Sequence, residues 1–247
     1  MLAVERLVKR FGGLTATDHL SLAVAAGELH AIIGPNGAGK TTLIHQLSGE
    51  VTPDSGRIVF DGADITSEPA YRRALAGLGR SYQITSVFAE FTALENVLLA
   101  VQAHAGHSFR FWRPAARERA LVEPARAALD LVGLAPRAHT PAAAMAHGER
   151  RQLEIAMTLA TRPKLLLLDE PMAGMSHLES EAVVALLQTL KGTYTILLVE
   201  HDVGAVFALA DRITVLTYGR PIASGTAEEI RANREVKDAY LGEEDAG

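Results

Sequence analysis

The 247-residue chain has no cysteine, which excludes a disulfide framework, thiolate catalysis and any cysteine-ligated metal site. This composition fits a reducing compartment. No stretch approaches the roughly 18 to 20 uninterrupted apolar residues that a membrane span needs, so any membrane role must be supplied by a partner. An excess of positive charge is also missing. With a formal net charge of −5 and a pI near 6.0, the chain carries no global basic field, and no nucleic-acid partner is expected. Met1-Leu2-Ala3-Val4-Glu5-Arg6 opens on a strand-like pattern without the apolar stretch of a signal peptide, so a cytoplasmic location is expected. Hydrophobic residues make up 48% of the chain, enough to bury a full core as one large domain or as one domain carrying a subdomain.

The most informative segment is Gly34-Pro35-Asn36-Gly37-Ala38-Gly39-Lys40-Thr41-Thr42, which fills every fixed position of a phosphate-binding loop. Glu28 to Ile33 before it reads as a short buried strand, and Thr42 to Leu47 after it has apolar residues at helical spacing. Glycines let successive backbone N–H groups curl around phosphate oxygens, and the helix start adds a positive dipole end. Lys40 supplies a point charge for the β- and γ-phosphates, and the Thr41 hydroxyl is the expected protein ligand of a magnesium ion. The plain alternative, a glycine-rich connector, does not account for the complete set of fixed positions.

Along the chain, strands are predicted at Val4 to Val8, with Phe11 just past the end, at Leu20 to Val24, and at Gly56 to Phe60 before an Asp61-Gly62 turn. They suggest an antiparallel edge beside the nucleotide core. Pro69 to Leu78 reads as helix and Gly79 to Gln83 as strand. From Ile84 to Thr161 the chain turns to helices rich in Ala, Leu and Arg. Within it Arg110, Arg113, Arg117 and Arg119 surround the single tryptophan, Trp112. A solvated helix face explains that cluster, and contact with a membrane partner or anionic lipid is the alternative. Ile213 to Leu216 and a return strand to Ser224 form a hairpin, and Thr226-Ala227-Glu228-Glu229 has capping-box spacing for a short helix. No C-terminal regulatory domain is expected.

Two further strand ends carry chemistry. Lys164 to Leu168 is an apolar run ending in Asp169-Glu170, and ligands bind at such ends in open α/β sheets. Asp169 is expected to orient magnesium through its water shell, and Glu170 to accept a proton from water attacking the γ-phosphate. Tyr194 to His201 is a third buried strand that brings His201 toward the same phosphates.

Together these residues resemble the ATP-binding subunit of ABC transporters, from Phe11 to Leu241-Gly242-Glu243. The phosphate loop, Gln83, the signature-like Met145-Ala146-His147-Gly148-Glu149, Asp169-Glu170 and His201 occur in the family's order. The resemblance implies an α/β P-loop NTPase core of mainly parallel sheet with an antiparallel β edge and an inserted α-helical subdomain. Residues 1–83 would be nucleotide-binding core, 84–161 the helical subdomain with the signature, and 162–247 the rest of the core with a short C-terminal helix. It also implies that Phe11 stacks on adenine, although an apolar loop anchor would look the same. Gln83 would report on magnesium and the attacking water, making Glu170, His201 and Gln83 the catalytic set and Thr41, Gln83 and Asp169 the metal set. Ala146, His147, Gly148 and Glu149 would reach the ATP of a second ATPase subunit, so function would require a dimer.

Two departures stand out: Ala146 replaces the usual serine, and Ala173-Gly174-Met175-Ser176 ends in serine where aspartate is usual. With Phe11-Gly12-Gly13-Leu14 and the C-terminal Ala239 to Glu243, they resemble the branched-chain amino acid importer subgroup. That subgroup implies ATP and Mg2+ as cofactors, two integral-membrane permease subunits as partners, and a periplasmic solute-binding protein indirectly. The protein would sit on the cytoplasmic face of the inner membrane. A lipopolysaccharide-type export ATPase and a non-transport ABC ATPase are the alternatives; the Phe11 to Leu14 segment and Ala146 weigh against the first, and the absence of coiled coils or a basic surface against the second.

Overall fold

The computed structural model describes residues 1–81, 87–105 and 118–240; Gln83, the Arg110, Trp112, Arg113 and Arg117 cluster, and Leu241-Gly242-Glu243 lie outside them. Strands β1 (Leu2–Phe11) and β2 (Leu14–Val24) form a long antiparallel hairpin. Alternation predicts them only to Val8 and from Leu20, and places Phe11 beyond the strand. Both strands in fact run to the hairpin tip, because bulges break the alternation without ending the pairing. Arg6 and His19, with φ of 46° and 50°, mark those irregularities.

β3 (Leu29–Ile33) is buried on both faces and feeds the glycine loop and α1 (Lys40–Ser48). β4 (Ser55–Phe60) and β5 (Ala63–Asp64) then complete a four-stranded antiparallel sheet of order β2-β1-β4-β5. The antiparallel strands expected at the edge of the core thus close a sheet of their own. α2 (Ala70–Leu75) stops short of Leu78 because Gly77 turns the chain, its N–H on the Ala74 carbonyl, into β6 (Leu78–Ser81). Arg73 of α2 is buried. Its guanidinium donates to the carbonyls of Gln46 and Leu47 at 2.7 and 2.8 Å, and to those of Thr66 and Glu68 at 3.0 and 2.8 Å. It therefore satisfies acceptors that α1 leaves open at its C-terminal end.

α3 (Ala93–His104), α4 (Arg119–Leu131) and α5 (His147–Ala160) pack on one another, and α3 starts on a Thr92–Glu95 capping box. The chain continues through β7 (Leu165–Asp169), α6 (His177–Leu190), β8 (Thr195–Val199), α7 (Val203–Leu209), β9 (Arg212–Thr217), β10 (Arg220–Gly225), α8 (Ala227–Ala232) and α9 (Arg234–Tyr240).

The second sheet has the order β10-β9-β3-β8-β7-β6, parallel throughout except for β10 against β9. Leu165 and Leu167 face a core with Leu43, Ile44 and Leu47 of α1 and Leu7, Ile58 and Phe60 of the antiparallel sheet. Leu166 and Leu168 face the opposite core, with Val97, Leu153 and Leu187 from α3, α5 and α6. Burial on both faces explains why β7 reads as a continuous leucine run instead of an alternation. Because β3, β7 and β8 are parallel neighbours, the loops after all three emerge at the same end of the sheet.

Candidate active site

The glycine loop is wedged between the two sheets. A Cβ on Gly34 would lie 2.2 Å from the Leu216 carbonyl oxygen of β9, and one on Gly39 would lie 2.1 Å from the Ala16 carbonyl oxygen of β2. Gly39 also has φ of 99°, so both space and backbone conformation demand glycine there. The β9–β10 turn holds the loop from outside, with Gly219 N–H donating to the Ala38 carbonyl at 2.9 Å. Lys40 is buried, and its Nζ donates to the carbonyls of Gly34 at 2.6 Å and Pro35 at 3.1 Å. Burial holds its pKa below the ordinary lysine value, and the charges of Glu170 and Asp169 oppose that shift. An anion entering the loop would meet this ammonium, the loop N–H groups and the start of α1.

A cavity of about 210 Å³ opens over the loop, lined by Leu14, Ala16, the run from Asn36 to Thr42, Glu170 and His201. His201 Nε2 lies 2.6 Å from Glu170 Oε1, so two residues separated by 31 positions form one hydrogen-bonded pair at the cavity wall. Glu170 has φ of 47°, a left-handed conformation that is uncommon for a residue with a side chain, and its N–H donates to the Val199 carbonyl at 2.9 Å. β8 ends at Val199, not at His201. Past that point the buried Glu200 carboxylate accepts the Met172 N–H at 2.8 Å and the His201 N–H at 3.0 Å, which turns the chain out of the sheet. Burial raises the Glu200 pKa, against the lowering effect of these backbone donors.

Asp169 is fully buried, and neither carboxylate oxygen has a hydrogen-bond partner among the described residues. Burial pushes its carboxyl above the usual range, while Arg80, whose Nη2 is 3.9 Å away, pulls it down. A buried carboxylate with both oxygens unsatisfied, beside a helix that starts Lys40-Thr41, suits a hydrated divalent cation. The residues present therefore fit magnesium.

The fold does not bring every candidate to the cavity. Phe11 is half exposed at the hairpin tip with Lys9 Nζ 5.5 Å from its ring centroid; Leu14, its partner across the hairpin, lines the cavity instead. Leu14 and Ala16 are not marked as site residues by the sequence, since nothing distinguishes apolar residues in a strand as ligand neighbours. Ala146, His147, Gly148 and Glu149 sit at the start of α5 and do not line the cavity of their own chain. There Glu149 accepts the Ala146 N–H at 2.9 Å, and Glu179 of α6 accepts the Gly148 N–H at 3.1 Å. Ser176 caps α6, its hydroxyl donating to the other oxygen of Glu179 at 2.7 Å. The serine that replaces aspartate is thus tied to the signature segment through one carboxylate.

A phosphate loop, a strand-end glutamate and a histidine on one cavity, with a buried aspartate next to the glutamate, suit a nucleotide hydrolase, and the comparison with known families decides which. The ABC transporter family model matches residues 17–173, and the model of the branched-chain amino acid ATP-binding cassette transporter matches residues 220–246. The chain belongs to the ATP-binding cassette family of ABC transporters. It is accordingly a cassette ATPase whose hydrolysis is coupled to transport. The cassette is 41% identical over 250 residues to the high-affinity branched-chain amino acid transport ATP-binding protein BraF of Pseudomonas aeruginosa, covering 98% of each chain. It is 39% identical over 255 residues to the corresponding LivG of Escherichia coli K12, again covering 98% of each. The structure of a nucleotide-free ATP-binding cassette from an ABC transporter superposes with a TM-score of 0.86 at 30% identity, over 97% of this chain and 98% of that one. No helix among the described residues is long and apolar enough to cross a membrane.

Proposed function

We propose that this cassette is the ATP-hydrolysing motor of a bacterial importer for branched-chain amino acids or related small polar solutes. The observation that carries the reading is the Glu170–His201 pair on the wall of the Lys40–Thr42 cavity, in a chain aligned end to end with branched-chain amino acid transport ATPases. In this reading the loop N–H groups and Lys40 hold the β- and γ-phosphates. Thr41, Asp169 and Gln83 hold a magnesium ion, which when bound neutralises phosphate charge. Glu170 accepts the proton of the attacking water, and His201 holds that carboxylate in place. Adenine would extend from the cavity past Leu14 to stack on Phe11 at the exposed hairpin tip.

The start of α5 contributes no residue to the lining of its own cavity, which supports a dimer in which Ala146, His147, Gly148 and Glu149 meet the ATP of a second subunit, either a copy of this chain or a related ATPase. Residues 1–83 and 162–247 would then act as the nucleotide core and 84–161 as the helical subdomain. ATP-driven closure would move two integral-membrane permeases through the segment after Gln83, with a periplasmic solute-binding protein delivering the cargo. A groove of about 280 Å³ lined by Ser48, Arg80, Ser81, His104 and Thr158 lies at the end of β6, just before that segment. The cassette would be peripheral on the cytoplasmic face of the membrane.

The test is Glu170→Gln. ATP affinity is expected to stay within about threefold while turnover falls roughly 10²- to 10⁴-fold, the range of a general base. An unchanged hydrolysis rate would remove Glu170 from its assigned role.

A further inference from the structure

The start of the loop after β7 is unusual in two ways: Glu170 is left-handed, and three successive carbonyls, those of Asp169, Glu170 and Pro171, turn toward one group. That group is the guanidinium of Arg151, one turn into α5. Its Nη2 donates to the Asp169 carbonyl at 2.9 Å and the Glu170 carbonyl at 3.3 Å, and its Nε to the Pro171 carbonyl at 3.3 Å. Its Nη1 donates to Glu154 Oε2 at 2.8 Å, and both side chains are buried, at 3% and 5% exposure. A left-handed residue with a side chain persists only where its surroundings over-determine it. The planar fork of arginine can bind several converging oxygens at once, whereas a lysine offers a single point charge. A buried ion pair is a poor device for stability alone, because an apolar pair of similar volume often serves as well.

We propose that Arg151, anchored by Glu154, is a positioning residue for hydrolysis: it holds the Asp169-Glu170-Pro171 turn so that the Glu170 carboxylate stays on His201 and over the phosphate loop. The inference rests on Glu170 being the base. Arg151 touches the backbone of the turn, and its effect on the reaction runs through Glu170.

Full-length Arg151→Lys and the charge-neutral double variant Arg151→Met/Glu154→Gln are compared with wild type and with Glu170→Gln. The readouts are kcat per titrated ATP-binding site, KM for ATP with magnesium, and equilibrium ATP affinity. Counting per binding-competent site removes any loss of folded protein from the comparison. The double variant is expected to lose at least about tenfold in kcat per site with ATP affinity within twofold, and Arg151→Lys to fall between it and wild type. A kcat per site within twofold of wild type, or a loss matched by ATP affinity, overturns the proposal. If the double variant does not fold, Arg151→Lys decides by the same criteria, with a kcat per site at least threefold below wild type as the expected result. Should Glu170→Gln still hydrolyse ATP, the base assignment fails and the proposal with it. If Glu170→Gln stops hydrolysis while the Arg151 variants do not, only the proposal fails.

Discussion

Four helix starts share one backbone geometry, and three of them are capped. Thr92, Ser176 and Thr226 have φ/ψ of −65°/163°, −67°/161° and −68°/167°, and Ala146 has −63°/165°. In each case a glutamate three residues on accepts the N-cap N–H, at 2.8, 3.0, 2.8 and 2.9 Å respectively. Thr92, Ser176 and Thr226 return the bond, their hydroxyls accepting the N–H of Glu95, Glu179 and Glu229 at 3.3, 3.4 and 3.3 Å. Ala146 has no oxygen with which to do so. Ala146→Ser therefore needs no backbone adjustment and completes the box, a gain of about 1 kcal/mol. For a domain of this size that raises Tm by about 2 to 4 °C, measurable by thermal and urea unfolding of the nucleotide-free chain. A fall in stability, or no change beyond error, would refute the claim that α5 is pre-shaped for a capping hydroxyl. In the Glu170→Gln background the same hydroxyl would face the second subunit's phosphate, a charge-assisted bond of about 1.5 to 3 kcal/mol. ATP-dependent dimerisation by sedimentation should then tighten roughly tenfold or more, and an unaltered dimer constant would count against the composite site.

Other consequences are accessible to simple variants. Gly39→Ala meets the Ala16 carbonyl while Gly37→Ala meets nothing within 4 Å, although both glycines have positive φ. Gly39→Ala should therefore be less stable than Gly37→Ala by the overlap alone, about 1 to 3 kcal/mol, and equal denaturation midpoints would contradict this. Arg73→Met strands buried carbonyls at the end of α1 and should cost at least about 3 kcal/mol in urea unfolding. Burial raises the Asp169 pKa above its ordinary 3.8, so ionising it at neutral pH destabilises the empty fold. Asp169→Asn should raise the nucleotide-free Tm at pH 7, with the gain disappearing as pH falls below about 3.8, where folded and unfolded chains both carry the proton. The same variant should lose magnesium-dependent hydrolysis. A gain that grew toward acid pH would reverse the assigned cause.

The sequence makes the parallel core legible because burial on both faces writes it as apolar runs, and because the phosphate loop demands glycine at fixed places. Leu165 to Asp169 and Leu29 to Ile33 are where the pattern predicts them within a residue or two. β1 and β2 are only half legible, since bulges at Arg6 and His19 shift which residues face inward. The site divides along similar lines. Lys40, Glu170 and His201 stand at element ends and carry chemistry in their side chains. Leu14 and Ala16 carry none, and they reach the cavity only through the pairing of the hairpin. Glu154 and Glu200 are charged residues next to apolar ones, a signal present in α5 and just past β8, whereas Arg151 stands in the polar run Glu149 to Gln152 and carries no such mark. Arg151 and Glu200 bond main-chain carbonyls and N–H groups and Glu154 bonds Arg151, and only the fold shows which groups meet.

The most direct test of the motor assignment is the identity of what travels with the protein. Tagged Glu170→Gln cassette would be crosslinked in native membranes with ATP, solubilised, and analysed by mass spectrometry. Two hydrophobic permeases, a second ATPase or a second copy of this chain, and a soluble solute-binding protein are expected. Recovery of export-bridge components, or of ribosomes or DNA alone, would contradict the motor assignment.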